Sequence, residues 1–530
     1  MSETSKEMVE NKDFAYNGTY KKEERISGIR GESECDFVLP DYMGDVKKLL
    51  KFSAEATPCS KFSGSDEVSF LGTVTYRVMY LDKDGILTEA SFASEYEHAE
   101  KHGEEFVDAD MVTKVQNLTV RLQGPRKICA KAALSHDVFM TEVQRDNCVG
   151  VTPDSERKER CVNIHRAKYF AESEREYAEE LGSIEDVSAD EVETVKSEAR
   201  AVVESCKMSD EGIALSGYIA ASALLRVDGE LISMAKKIPF EEMLASEELL
   251  PENAVCFNDA YVTGCTINVN NERAADDASA AVIASVVVST TVEFRARADY
   301  NCEHTLISDA FVKGFDSDNT YGVFSYNEML GGTCDKKGFT AELSKKEAGA
   351  VGMHSITETD VSVKNVKCEA MEDGVSISCE VIFNVVAKCG GGTEFFSFKC
   401  PFEYNRTVKI NTAGNDTRIR CYVSAENPSV THDSETVYFS CDIRQSILTE
   451  KHAEENVLLR MNAKESNESN DRRVIVYYPE DGDTLWTVAK KYGVGLSDII
   501  ESNLLGDIYT NSEGVDYPLD QTAKILIIKP

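Results

Sequence analysis

The sequence predicts a mainly β chain: three tandem β-sandwich-like modules with short helices, then a small strand-helix-helix-strand unit at the C-terminus. Three observations lead there. One stretch recurs three times, its apolar residues alternate with polar ones, and the last part of the chain switches to helical spacing between two short apolar runs. A length of 530 residues suits several domains, at roughly 100–200 residues each.

The repeat is carried by "VSFLGTVTYRVMYLDKDGILTEASFASEYE" from Val68, "IALSGYIAASALLRVDGELISMAKKIPFEE" from Ile213 and "VSISCEVIFNVVAKCGGGTEFFSFKCPFEY" from Val375. With Gly72, Gly217 and Cys379 in register, a turn glycine follows in each (Gly85, Gly229, Gly392), and Ser94, Pro239 and Pro401 fall 22 residues after the register point. Alternation such as Val74, Tyr76, Val78 and Tyr80 around a glycine turn reads as a β-hairpin with one buried face. Further strand-like runs follow: "NLTVRLQG" and "ICAKAALSHDVFM", then "AVIASVVVSTTVEFRARADY", then "TVYFSCDIRQSIL". Register points 145 and 162 residues apart are too widely spaced for a solenoid and suit separate sandwiches.

Between these runs the spacing predicts helices. "LPDYMGDVKKLL" offers Asp41 as a cap and apolar Val46, Leu49 and Leu50; "SADEVETVKSEARAVVES" opens on Ser188 and Glu191 in capping-box spacing, with Val192, Val195, Ala199 and Val202 on one stripe. The resulting division is a flexible N-terminal segment 1–29, module 30–145, a charged helical linker 146–187, module 188–312, a connector 313–350, module 351–461, a polar tether 462–473 and a C-terminal domain 474–530.

Composition narrows the partners. The 93 acidic against 57 basic residues give a net charge of −36, a field that repels nucleic acid and anionic lipid. No apolar run is long enough for a membrane span, and "MSETSKEMVENKDFAYNGTY" has no apolar signal core, so cytoplasmic synthesis is expected. The 16 cysteines contain no C-x-x-C pair and read as reduced, mostly small core residues.

In the C-terminal unit, "VIVYYPEDGDTLWTVAKKYGV" gives a strand, a Gly482-Asp483-Thr484-Leu485 loop and a helix with Leu485, Val488, Ala489 and Tyr492 on one face. Asp483 is expected to cap it and Ser497 to cap a second helix carrying Ile499, Ile500 and Asn503; "KILIIKP" closes the unit as a strand. Trp486 is read as core. This unit resembles a LysM domain. The resemblance implies a shallow groove for N-acetylated sugars of peptidoglycan or chitin-like glycans, formed by Gly482, Asp483, Thr484 and Leu485 facing Asn503, Leu504 and Leu505.

The threefold pattern over roughly residues 30–460, with that C-terminal unit, resembles the SPOCS-domain spore-coat morphogenetic proteins of anaerobic endospore formers. The resemblance implies a non-enzymatic scaffold, made in the mother-cell cytoplasm and deposited on the forespore surface. There its LysM-like module would dock onto a spore-surface morphogenetic ATPase or other coat proteins. A peptidoglycan- or N-acetylglucosamine-binding cell-wall protein is the alternative. No catalytic, cofactor or metal constellation emerges: His98 and His102 sit four apart among glutamates and read as a solvated acidic face.

Overall fold

In a computed structural model describing residues 18–57, 59–146, 155–245, 250–273, 282–390, 394–465, 474–505 and 518–529, one strand arrangement occurs three times. The first copy comprises β1 (Gly18–Val38), β2 (Val46–Ala56), β3 (Ser60–Ser63), β4 (Glu67–Asp82), β5 (Leu87–Lys101), β6 (Phe106–Leu122) and β7 (Lys127–Asp146). The second has β8 (Ser155–Glu185), β9 (Val192–Ser209), β10 (Gly212–Val227), β11 (Glu230–Ala245), β12 (Val255–Arg273) and β13 (Val282–Val312). The third has β14 (Phe315–Ser344), β15 (Met353–Met371), β16 (Gly374–Cys389), β17 (Phe395–Val408), β18 (Thr417–His432) and β19 (Thr436–Glu465).

In every copy the last strand lies between the first and the penultimate one, giving outer sheets β1-β7-β6, β8-β13-β12 and β14-β19-β18. The remaining strands form a hairpin sheet centred on β4, β10 or β16. Each pair of sheets encloses its own apolar cluster, around Tyr76 and Val138, Ile219 and Phe294, and Phe383 and Phe439. The chain ends with β20 (Val474–Tyr477), α1 (Leu485–Tyr492), α2 (Leu496–Asn503) and β21 (Ile525–Ile528).

The register points are explained by what faces them. Gly72 pairs with Tyr96, Gly217 with Phe240 and Cys379 with Tyr404. A Cβ at Gly72 would collide with the Tyr96 ring, and one at Gly217 with the Val202 carbonyl and the Phe240 ring. Glycine therefore lets an aromatic ring fold across the strand. Pro239 and Pro401 lie on β11 and β17, both edge strands, where a missing N–H costs no ladder bond.

Where helices are expected at 41–50 and 188–205, the chain is strand from Val46 and from Val192 onward. Bulges explain the misleading pattern: on β2 the register shifts between Val46 and Lys48 and between Leu49 and Lys51. On β9 it shifts between Thr194 and Lys196 and between Val203 and Ser205. Each bulge inserts one residue and flips the alternation, so buried positions fall three and four apart as on a helix. The Ser188–Glu191 box does form, the Ser188 amide donating to Glu191 at 3.0 Å, but it caps a single 3-10 turn, Ala189–Glu191.

The charged linker 146–187 is also corrected. From Ser155 to Glu185 it is β8, paired along its length with β13; its charges suit a sheet edge. Likewise the connector 313–350 is mostly β14, paired with β19, and residues 18–29 of the N-terminal segment belong to β1. Residues 462–465 of the tether end β19, while 466–473 lie outside the described residues.

Two buried junctions join the copies. At the first, Met79, Leu224 and Val386, each seven residues past its register point, meet in one cluster with Leu50, Leu87 and Val195. Their cross-strand partners are Lys51, Lys196 and Glu358. Lys51 reaches Glu358 at 3.1 Å, Lys196 also pairs with Glu358, and Arg200 bridges Glu198 (2.8 Å) and Asp360 (2.7 Å). Burial pushes the neighbouring Glu89 carboxyl up to about 7.

At the second junction, on the outer sheets, the fully buried Asp299 takes His165 Nε2 at 2.8 Å and Arg297 at 2.7 Å, while Glu450 takes His165 Nδ1 at 2.8 Å. Arg297 and Arg420 reach Glu23 at 2.6 and 3.2 Å and lie over the Phe139 ring at 5.0 and 4.6 Å. Burial opposes charge on His165, but the two carboxylates prevail and raise it to about 9.

Candidate recognition groove of the C-terminal unit

Locally, the unit folds as its spacing predicts. Leu485, Trp486, Val488 and Ala489 are buried in one cluster with Ile499, Ile525 and Ile527, and Tyr492 packs against it. Two caps differ from expectation. Thr484, not Asp483, caps α1, its Oγ1 accepting from the Thr487 amide at 3.2 Å. Gly495, not Ser497, precedes α2.

Asp483 holds the loop instead. Its Oδ2 accepts from the Tyr477 hydroxyl at 2.5 Å and the Glu480 amide at 2.7 Å. Burial raises its pKa, but these donors outweigh burial and lower it. Asn503 ties α2 to the sheet: Nδ2 donates to the Ile499 and Leu526 carbonyls at 2.8 and 2.7 Å, and Oδ1 accepts from the Leu526 amide at 2.5 Å.

The seven groove residues thus separate by job. Asp483, Thr484 and Asn503 bind backbone, Leu485 is fully buried, and Leu505 packs against the core. Gly482, at φ +86°, would have open space around a Cβ, and Leu504, at φ +50°, is 92% exposed. Leu519 donates to the Asp483 carbonyl at 2.8 Å, so the first loop is tied to the chain leading into β21. The connection 506–517 lies outside the described residues.

α1 is anchored to the second and third copies along its length. Trp486 Nε1 donates to Asp309 Oδ2 at 2.7 Å, and Lys490 Nζ reaches both Asp309 oxygens at 2.7 and 2.8 Å. Tyr321 and Asn319 also donate to Asp309, at 2.7 and 2.8 Å. The Phe311 ring sits edge-on to Trp486 with centroids 5.3 Å apart and belongs to the unit's core. Gly314, in the β13–β14 turn, donates to the Gly493 carbonyl at 2.9 Å. Asp309, Phe311 and Gly314 were invisible as site residues in the sequence, since nothing local marks a contact across 177 positions.

The LysM domain family model matches residues 480–511. That match supports a carbohydrate-binding role, toward peptidoglycan or N-acetylglucosamine polymers, for a module that binds rather than catalyses. No curated protein matches the chain.

Elsewhere, His98 bonds Glu100 at 2.9 Å and His102 stacks on Phe106 with centroids 3.9 Å apart. No group of three or more His, Cys, Asp or Glu placed to hold a metal occurs among the described residues. None of the described helices is long and apolar enough to cross a membrane.

Proposed function

We propose that the chain is a non-enzymatic scaffold of spore-envelope assembly, made of three sandwich units over residues 18–146, 155–312 and 315–465 and a LysM module that recognises a partner. The supporting observation is the anchoring of that module. Asp309 and Phe311 hold it through Trp486 and Lys490, while Leu504 stays bare. Leu504, in a left-handed turn, is left free to touch a partner. Assignment to the spore rests on the resemblance to SPOCS-domain proteins. The proposed course is synthesis in the mother-cell cytoplasm, then deposition on the forespore by docking to a surface morphogenetic ATPase or other coat proteins. Deleting residues 471–530 should disperse a fluorescent fusion from the forespore, and unchanged localisation would end the docking role.

The LysM match favours a second reading, a wall protein that binds peptidoglycan. Incubating the full chain with insoluble peptidoglycan at low and high salt separates the two, because high salt screens nonspecific charge attraction. Retention at both salts supports glycan binding; no retention supports a protein partner.

A further inference from the structure

We propose that Cys206 with Cys256, and Cys368 with Cys421, are two dithiol modification sites that close into disulfides, each bridging the two sheets of one sandwich, when a low-molecular-weight disulfide is present. The four residues occupy repeated places. Cys206 on β9 faces Leu215 and Cys368 on β15 faces Ile377, each two positions before the register point of its copy. Their partners lie on β12 and β18, the edge strands of the outer sheets. β9 packs against β12 and β15 against β18, so each pair is brought together: Cys206 and Cys256 line one cleft, and Cys368 and Cys421 pack against one apolar cluster. All four are partly accessible, and Cys206 and Cys256 line a cleft of about 440 Å³ that admits a small reagent.

The first copy acts as an internal control. Its cysteine in this region, Cys59, is buried, and its thiol donates to the Met111 carbonyl of β6 at 3.6 Å. Burial pushes that thiol up to about 12, so it stays protonated and inert.

A cation from another copy accompanies each site. Arg295 of the second copy lies beside Cys59, Arg444 of the third beside Cys206, and Lys114 of the first beside Cys368 and Cys421, so the order closes a ring. At the two paired sites the partner thiol and the cation work against burial and favour one thiolate per pair. The cysteine that ionises is the nucleophile, since thiolate rather than thiol attacks sulfur. The thiolate displaces one thiol from the small disulfide and forms a mixed disulfide. The partner cysteine, deprotonated, then attacks the protein sulfur and expels the second thiol. The small disulfide gains two electrons and leaves as two thiols carrying the two protons lost by the pair.

The test treats the native full-length chain with oxidised glutathione, then denatures it, alkylates free thiols and maps the peptides. The expected result is cross-linked peptides containing Cys206–Cys256 and Cys368–Cys421, reversed by dithiothreitol, with Cys59 alkylated. Alkylation of all four cysteines, or cross-linking of Cys206 to the exposed Cys334 that shares its cleft, would overturn the assignment. Arg444→Gln should slow closure of the first pair several-fold and leave the second unchanged; Lys114→Gln should do the reverse. Equal rates at both sites in both variants would remove the cations from the proposal.

Discussion

The two junctions hold the same three copies together by different means. The hairpin-sheet junction is built from repetition: Met79, Leu224 and Val386 occupy one position of the repeat, and so do Lys51, Lys196 and Glu358. Two lysines and one glutamate at matching places make an ion cluster that three identical copies could not, because three like charges would repel. The outer-sheet junction is assembled from unlike parts: a histidine between two carboxylates, two arginines over one phenylalanine, and Glu23 of the first strand. Repetition supplies the shape of the first interface, while divergence supplies the pairing that makes the second specific.

Breaking the outer-sheet junction should have the largest effect. Asp299→Ala leaves His165 and Arg297 buried without their shared carboxylate. It should lower stability by about 3–5 kcal/mol, the usual cost of removing one member of a buried ion pair. A urea midpoint equal to that of the parent would show that the junction is dispensable. Next is the apolar centre of the other junction. Leu224→Ala, at a 5% exposed site, should cost about 3 kcal/mol, within the range for truncating a buried leucine. Hydrogen exchange should then rise in β2 and β16 as well as β10; a rise confined to β10 would mean that the copies do not share this core.

The anchoring of the LysM module is weaker, and Trp486, the single tryptophan of the chain, reports on it. Asp309→Ala should shift its emission to the red and cost about 1.5–3 kcal/mol of docking, as expected for hydrogen bonds to a charged group. Unchanged emission would assign the docking to Phe311 and Gly314.

The pH dependence separates the junctions further. Glu89 is raised from 4.5 to about 7, so its contribution to stability is fully present below pH 4.5 and is lost as pH rises through 7. His165 is raised from 6.5 to about 9, so its contribution is present below pH 6.5 and is lost as pH rises through 9. Glu89→Gln should flatten the stability curve between pH 4.5 and 7, and His165→Asn between 6.5 and 9. A common window for both variants would contradict the separate origins. The smallest structural effect belongs to Leu504→Glu, which should change stability by less than roughly 0.5 kcal/mol at so exposed a site, while weakening retention on whichever partner or glycan the module binds.

The sequence alone determined the β class, the three hairpins, the turn glycines Gly85 and Gly229 of the first two (Gly392 of the third lies outside the described residues), and the strand-helix-helix-strand order of the last unit. These follow from local periodicity and from residues such as Asp228-Gly229, whose positive φ angles of 50° and 81° make the tight β10–β11 turn. Bulges on β2 and β9 hid two strands by converting a period of two into a helical spacing. The charges along β8 hid a third, because the strand it pairs with, β13, is remote in the sequence. Only the tertiary structure decided which copies meet, that Asp483 and Asn503 hold the backbone while Leu504 stands bare, and that Asp309 anchors a helix 177 positions away. Local spacing records which face of a segment is buried, but the identity of what buries it is a long-range choice made by packing.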